Sequence, residues 1–374
     1  MRSTIEYTVL NPKNNKQESN LTEISVSREM FFSQRPEISL RILDCFPGGR
    51  LKLQQMVFEK TNNYSMLSDV SFLIKNFVKT KLVSEEQLIH WRNNLTQLPN
   101  AENDPEISNI IGTLTLCTKE INHIAYVADG NRRWAKSLGL SADKSHEQSF
   151  VTTIPHVAEE IFQYGIHTFS IWLFQPDNLD RNKEEVIGSI FKYLINSLKV
   201  YLDMAKKLNV RIFHIGNKKC SHPDPDIQNE FYCLMDLINI AEKETQLFSK
   251  HHLIMGANYT RLDDYFRAFK KINSQKINLD ELQPDDINKF TDVGNQLYPY
   301  PDLFIRTAMP YAGRVGDFLL DVSKTCVYFT PILAPELSIK DIIAGATIFA
   351  NPLVRYKSNT KAADEDYPVQ KARL

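Results

Sequence analysis

The chain lacks an excess of charge of either sign. Its 374 residues hold 44 Lys and Arg against 45 Asp and Glu, a net charge of −1. Nucleic-acid binders normally carry a basic excess, so nucleic acid is not an expected partner. Cysteine is also scarce. Cys45, Cys117, Cys220, Cys233 and Cys326 are odd in number, widely spaced and never in a C-x-x-C pair. This argues against zinc and for reduced thiols in a cytoplasmic setting. No apolar run approaches the ~18–20 residues of a membrane span, and Met1-Arg2-Ser3-Thr4-Ile5-Glu6 has no apolar signal core. No internal repeat is present. What is there is an ordinary globular composition, 43% hydrophobic and 24% charged, on a chain long enough for one large domain or two smaller ones.

Residues 1–20 are polar, and the pattern over 21–118 is mixed. Phe72, Leu73, Phe77, Val78 and Leu82 stand near helical spacing, so 67–98 reads as largely helical. Ser84-Glu85-Glu86 reads as a helix start. The polar, proline-bearing stretch 98–105 reads as a linker. Nothing before it carries a chemical motif, so 1–118 is expected to be a mostly helical N-terminal extension of unknown role. Beyond it strands and helices alternate. Strands are predicted over 123–127, 167–174, 210–216, 253–259, 302–307 and 326–330, and helices over 183–208, 226–246 and 338–349. This alternation predicts an α/β domain over 119–356, with a mainly parallel six-stranded sheet flanked by helices. The charged tail, 357–374, is expected to be disordered.

The stretch His123-Ile124-Ala125-Tyr126-Val127-Ala128-Asp129-Gly130-Asn131-Arg132-Arg133-Trp134-Ala135-Lys136 is the most informative. It reads as a buried strand that ends on an acid, turns at a glycine and opens a basic helix. Backbone N–H groups, a helix start and two guanidiniums then surround one point, which suits a phosphate. A carboxylate beside phosphates calls for a divalent cation between them, and Mg²⁺ is the natural one. A plain surface turn carrying two arginines is the alternative. Every candidate site residue falls at the carboxyl end of a predicted strand, where open α/β sheets place their ligands.

The same stretch resembles the signature of the cis-prenyltransferases, the undecaprenyl diphosphate synthase family, which reads H-x-A-[I/V]-[I/V]-x-D-G-N-x-R-W-A. The resemblance runs from about His123 to Arg355. It implies that Asp129 is catalytic and metal-linked, and that Gly130, Asn131, Arg132 and Arg133 cradle an allylic isoprenoid diphosphate, with Trp134 a packing residue. His146 stands where the family has a histidine near the phosphates; a solvent-facing helix histidine is the alternative. Phe174-Gln175-Pro176-Asp177-Asn178-Leu179-Asp180-Arg181 resembles F-S-x-E-N-W-x-R. Arg181 would then grip the diphosphate, Asn178 would orient the departing phosphate or the incoming alkene, and Asp177 would stand in for the glutamate. Helix capping is the alternative for Asp177 and Asp180. Gly256-Ala257-Asn258-Tyr259 with Asp264 resembles an A-N-Y strand end and is read as architecture. Pro301-Asp302-Leu303-Phe304-Ile305-Arg306-Thr307, with Arg314 and Phe318-Leu319-Leu320, resembles P-D-L-x-I-R-T … R-x-S-N-F-L-L, which implies that Arg306 and Arg314 hold a second diphosphate; a surface pair is the alternative. The apolar face of 183–208 is a candidate tunnel wall or plain core packing.

The chain also departs from the family's pattern. The serine after the strand-end phenylalanine is Gln175, the tryptophan is Leu179, and an arginine before His146 is Ala142. The glycine pair after R-T is Ala308-Met309, in a longer loop around Tyr311. The serine of R-x-S is Gly316. The family's Mg²⁺-binding glutamate aligns with Cys326 or is missing. The resemblance thus implies a Mg²⁺-dependent, homodimeric prenyltransferase that binds an allylic isoprenoid diphosphate and loses diphosphate. The departures turn the expectation toward a non-standard acceptor, irregular coupling or cyclisation. The second substrate stays open among isopentenyl diphosphate, another isoprenoid and an aromatic nucleophile. Ordinary chain elongation and a non-catalytic, isoprenoid-diphosphate-binding partner subunit are the alternatives. A greasy substrate would bring the otherwise cytoplasmic protein to a membrane surface.

Overall fold

The computed structural model describes residues 74, 84–97, 105–309, 318–319 and 324–350. Backbone contacts divide the chain into two compact units between Thr118 and Lys119. In the first unit, α1 (Glu85–Thr96) starts as the sequence predicts. Ser84 Oγ accepts from Gln87 N at 3.2 Å, and Gln87 Oε1 accepts from Ser84 N at 2.9 Å, a reciprocal cap. The helix α2 (Pro105–Cys117) is hidden in the sequence by the proline that opens it. Proline belongs at a first helical position, where its missing N–H costs nothing. Ile107, Ile110, Ile111 and Leu114 then form its buried stripe.

The second unit is built on six strands: β1 (His123–Val127), β2 (Thr168–Phe174), β3 (Val210–Ile215), β4 (His251–Ala257), β5 (Leu303–Arg306) and β6 (Cys326–Phe329). All six are the predicted ones, with ends moved by a residue or two. Every pairing is parallel, in the order β3-β4-β2-β1-β5-β6. The central strand β1 is buried at every residue, as a parallel strand covered on both faces must be. The edge strand β6 is half-buried throughout.

Between strands run α3 (Asn131–Ser137), α4 (Ala142–His146), α5 (Ile154–Gln163), α6 (Lys192–Leu208), α7 (Pro225–Glu244) and α8 (Arg261–Ser274), and α9 (Ile339–Ala350) follows β6. Two stretches widen to i→i+5 turns. Glu147–Thr153 joins α4 to α5, and Val186–Phe191 joins the short helical turn Lys183–Glu185 to α6. The predicted helix over 183–208 is therefore continuous but not uniform. Its apolar stripe is mostly packing: Val186, Phe191, Leu194, Leu198 and Ala205 are buried. Asp224 caps α7 by accepting from Asp226 N (2.8 Å), with Pro225 next. The core on one side of the sheet gathers Ala125, Val127, Ile254, Tyr259, Phe304 and Phe318.

From β1 the chain leaves to one side toward β2, and from β5 to the other side toward β6. Strands β1 and β5 therefore flank the point where the winding reverses, and ligands bind beyond the carboxyl ends of such a pair.

Candidate active site

Asp129 stands two residues past β1, and Arg306 ends β5. A single threonine joins the two strand ends. Buried Thr307 accepts from Asp129 N (2.9 Å) and donates its hydroxyl to Asp129 O (2.8 Å). The sequence motif contains Thr307, but nothing in the pattern gives it this task.

Both oxygens of the Asp129 carboxylate accept hydrogen bonds. Oδ1 accepts from Gly130 N (2.6 Å) and from Arg133 Nη2 (3.3 Å), and Oδ2 accepts from Arg306 Nη2 (2.8 Å). The Arg306 side chain is only 12% exposed, so its charge depends on Asp129 for compensation. Its Nε is buried without a hydrogen-bond partner among the described residues. An unmet donor at a cleft is a place for an anion. Arg133 also donates to Ala308 O (3.3 Å).

Gly130 is required twice over. Its φ is +96°, and a Cβ there would stand 2.7 Å from Leu333 Cδ2 and 2.9 Å from Ala308 Cβ. Ala308 itself has φ +67°, the conformation glycine takes without strain. Hydrogen bonds from Ala308 N to Ile332 O (2.7 Å) and from Met309 N to Thr330 O (3.1 Å) hold it there. This is how an alanine occupies a place where the resemblance calls for glycine. The helix start expected here is present: α3 opens directly after Gly130, and Arg132 and Arg133 stand in its first turn.

Two adjoining hollows share Ala128, Asp129, Asn131, His146 and Arg181. One continues to Gly130, Arg132, Arg133 and Lys136. The other adds Gln175, Asn178 and Arg306 at its polar mouth and Val127, Phe150, Leu173, Phe174 and Ile190 as an apolar floor. Ile190 is thus the member of the 183–208 stripe that faces the cleft. Arg181 is held by Glu185 at 2.8 Å, an i,i+4 pair that the spacing could have suggested. Asn178 Oδ1 accepts from Gln175 N (2.9 Å), folding the loop after β2. His146 meets Ser189 Oγ through Nδ1 at 2.6 Å and stacks on Phe150. Burial, helped by nearby Arg181 and Arg132, pushes its pKa down to about 4. His146 is therefore buried and neutral, not the solvent-facing alternative.

Asp129, Gly130, Asn131, Arg132, Arg133, His146, Asn178, Arg181 and Arg306 thus come together. Asp177 does not: it is exposed and lines neither hollow. Nor does it or Asp180 cap the next helical turn, which Asn182 caps by accepting from Glu185 N (2.7 Å). Arg314, Tyr311 and Gly316, like the stretch from 351 on, lie outside the described residues. Gly256 to Tyr259 is architecture, as expected. A Cβ on Gly256 would meet Phe318 at 2.5 Å, and Tyr259 OH donates to Asp264 (3.1 Å). Cys326 pairs with Leu303 at the amino end of β6, across the sheet from Asp129. A metal ligand at that position would not reach this cleft.

Among the described residues Asp129 is the sole carboxylate lining the hollows. Among them, too, no group of three or more His, Cys, Asp or Glu could hold a metal unaided. One carboxylate does suit Mg²⁺, which takes most of its ligands from phosphate and water. Among the described residues no helix is long and apolar enough to cross a membrane.

The comparisons with known proteins point the same way. Residues 127–356 match the family model described as "Putative undecaprenyl diphosphate synthase". An isoprenyl transferase of Treponema denticola is 33% identical over 227 residues, covering 60% of this chain and 91% of that protein. A chloroplastic nerylneryl diphosphate synthase of Solanum lycopersicum is 29% identical over 275 residues, covering 68% and 82%. Among solved structures, lavandulyl diphosphate synthase from Lavandula x intermedia, in complex with dimethylallyl diphosphate, is similar with a TM-score of 0.54 at 25% identity, covering 62% of this chain and 95% of that one. With its parallel sheet, its switch-point cleft and a match over most of the second unit, the chain belongs to the undecaprenyl diphosphate synthase family of prenyl-transferring enzymes.

Proposed function

We propose that the cleft binds an allylic isoprenoid diphosphate and transfers its prenyl group to isopentenyl diphosphate, lengthening the chain with loss of diphosphate. One observation carries this reading. Asp129 is set between Arg133 and Arg306 above an apolar floor, so charge and grease meet at one point. The reaction needs that junction. The allylic C–O bond breaks and its electron pair leaves with the diphosphate. The acceptor's alkene carbon forms the new C–C bond, and a proton is lost from the neighbouring carbon.

The residues divide this work. Arg133 and Arg181 take the charge that develops on the leaving diphosphate. Arg306, with its unmet Nε, is placed for the second diphosphate. Val127, Phe150, Leu173, Phe174 and Ile190 exclude water, which would otherwise capture the electron-poor prenyl carbon. Asp129, together with phosphate oxygens, would hold Mg²⁺, which supplies further charge neutralisation when bound. The family resemblance extends the proposal to a homodimer, which light scattering on the purified protein tests.

The test is a product assay with Mg²⁺ and dimethylallyl, geranyl or farnesyl diphosphate, each with and without isopentenyl diphosphate, read by mass spectrometry. Longer prenyl diphosphates that require isopentenyl diphosphate are the expected result. A second reading keeps the same donor and changes the acceptor to another isoprenoid, an aromatic nucleophile or the donor itself by cyclisation. Gln175, an extra amide in the lining of the cleft, is the observation that favours it. Diphosphate release or a new product without isopentenyl diphosphate would decide for that reading.

A further inference from the structure

Two serines stand behind two polar residues of the cleft, and each belongs to one of the widened helical stretches. A π-type turn inserts a residue into the helical register, so its side chains leave the rows of an ordinary helix. From Glu147–Thr153, fully buried Ser149 donates to Asn131 Oδ1 at 2.5 Å. From Val186–Phe191, buried Ser189 meets His146 Nδ1 at 2.6 Å. Both served residues line both hollows.

The direction of these bonds matters to an anion. A diphosphate only accepts hydrogen bonds, so a neutral side chain helps it only by presenting a donor, which for asparagine and histidine is an N–H. An asparagine does so when something else occupies its oxygen, which Ser149 does; one of its two amide N–H groups goes to Ala128 O (3.4 Å), and the other is left for the anion. A neutral histidine does so when its other nitrogen accepts, and which nitrogen holds the proton is set by the partner of the other. If Ser189 donates to Nδ1, the proton sits on Nε2. The charged groups acting on the ring are Arg181 after β2, Glu185 on the turn before the second widened stretch, and Arg132 on α3.

We propose that Ser149 and Ser189 are positioning residues that hold Asn131 and His146 with their N–H groups toward the diphosphate. The inference rests on the reading of the cleft as a diphosphate site, and its test separates the two. Ring ¹⁵N shifts of His146, assigned with His146→Gln, report the tautomer directly and need no turnover. The wild-type protein should show one tautomer with the proton on Nε2, and Ser189→Ala should show a mixture. In kinetics, Ser189→Ala should lower kcat/KM roughly tenfold, Ser189→Thr should recover most of it, and Ser189→Ala should add nothing in a His146→Gln background. Should Ser189→Ala not fold, Ser149→Ala is read the same way through the side-chain amide signals of Asn131 and a cycle with Asn131→Ala. A wild-type proton on Nδ1, or ring signals unmoved by Ser189→Ala, would overturn the proposal whatever the activity. Expected ring signals in a protein that turns over no allylic diphosphate would instead overturn the function proposed above and leave the tautomer lock standing.

Discussion

At one end of β1 the chain turns at Asp129, whose carboxylate meets two guanidiniums in a cleft. At the other end of the same strand His123 is fully buried, with Nε2 2.6 Å from Ser170 Oγ. Around it lie more histidines: the His167 ring is 4.5 Å from that of His252 and 5.0 Å from that of Tyr298, and His251 donates through Nδ1 to Ile166 O at 2.8 Å. Burial pushes His123 down to about 3 and His251 and His252 down to about 4, so these histidines are polar yet uncharged. Asp302 completes it by accepting from Asn122 N (2.7 Å) and His123 N (3.0 Å), its carboxyl pushed up by burial. One sheet thus ends in two kinds of polarity. The charges of the cleft are partly exposed, and their partners can be exchanged for a ligand's. The polar groups of the amino end are closed off from solvent, with His123 Nε2 on Ser170, His251 Nδ1 on the backbone and Asp302 on two backbone N–H groups.

Substitutions at equivalent places should therefore fail differently. Asp129→Ala should cut turnover by roughly 10³-fold or more, measured by diphosphate release at a temperature where circular dichroism shows the variant folded. Retained turnover would remove the cleft from the chemistry. Acid should strike the amino end. His123, His251 and His252 have folded pKa values below the ordinary 6.5, so their neutral forms support the fold above that pH. That support should fade as pH falls from about 6.5 through 4, by on the order of a few kcal/mol, read from urea midpoints along a pH series. Buried Asp264 and Asp302, raised by burial, act in the opposite sense. A flat profile would refute the account of a neutral histidine cluster.

Asp302→Ala should leave kcat unchanged while costing about 2–3 kcal/mol, since two backbone N–H groups lose their acceptor. A fall in kcat at unchanged stability would erase the distinction between the two ends. The smallest contrast is between two glycines of similar φ. At Gly165 (φ +94°) an added Cβ would meet nothing within 4 Å, so Gly165→Ala should cost about 1 kcal/mol from the backbone alone. Gly130→Ala adds the collision with Leu333 and Ala308 and should cost about 2–3 kcal/mol and impair activity. Equal midpoints for the two variants would mean that the Leu333 contact yields freely.

The six strands are legible in the sequence because each is a short apolar run bounded by turn residues, and parallel interior strands are apolar on both faces. The turn at Asp129–Gly130 is legible as well, because a short basic segment after a buried strand has few other uses. The rest depends on contacts distant in sequence. Helix α2 is masked by Pro105. Helix α5 follows an irregular turn, and α8 carries a helical apolar spacing at Leu262, Phe266 and Phe269 that the fold leaves exposed instead of burying in the core. Thr307 looks like a strand-end residue, and its clamp on Asp129 exists only when β5 lies beside β1. Ser149 and Ser189 give no signal at all, because a widened turn has no known spacing in sequence. Asp177 is placed by likeness to a motif, and the three-residue turn Pro176–Asn178 leaves it exposed instead.

The order of the sheet also has a consequence in time. Asp129 and Arg306 are 177 residues apart along the chain, and the strands that carry them are neighbours. As the polypeptide leaves the ribosome, β1 emerges early and waits for its second neighbour while β2, β3 and β4 assemble on its other flank. Pairings of such long range are slow to form, because the intervening loop must be closed before contact repays it. Until β5 docks, Asp129 has neither Arg306 nor Thr307, and Gly130 has no Ala308 against it. A nascent chain stalled before β5 would hold four of its six strands and an unfinished cleft, so ligand binding there reports a late step of assembly.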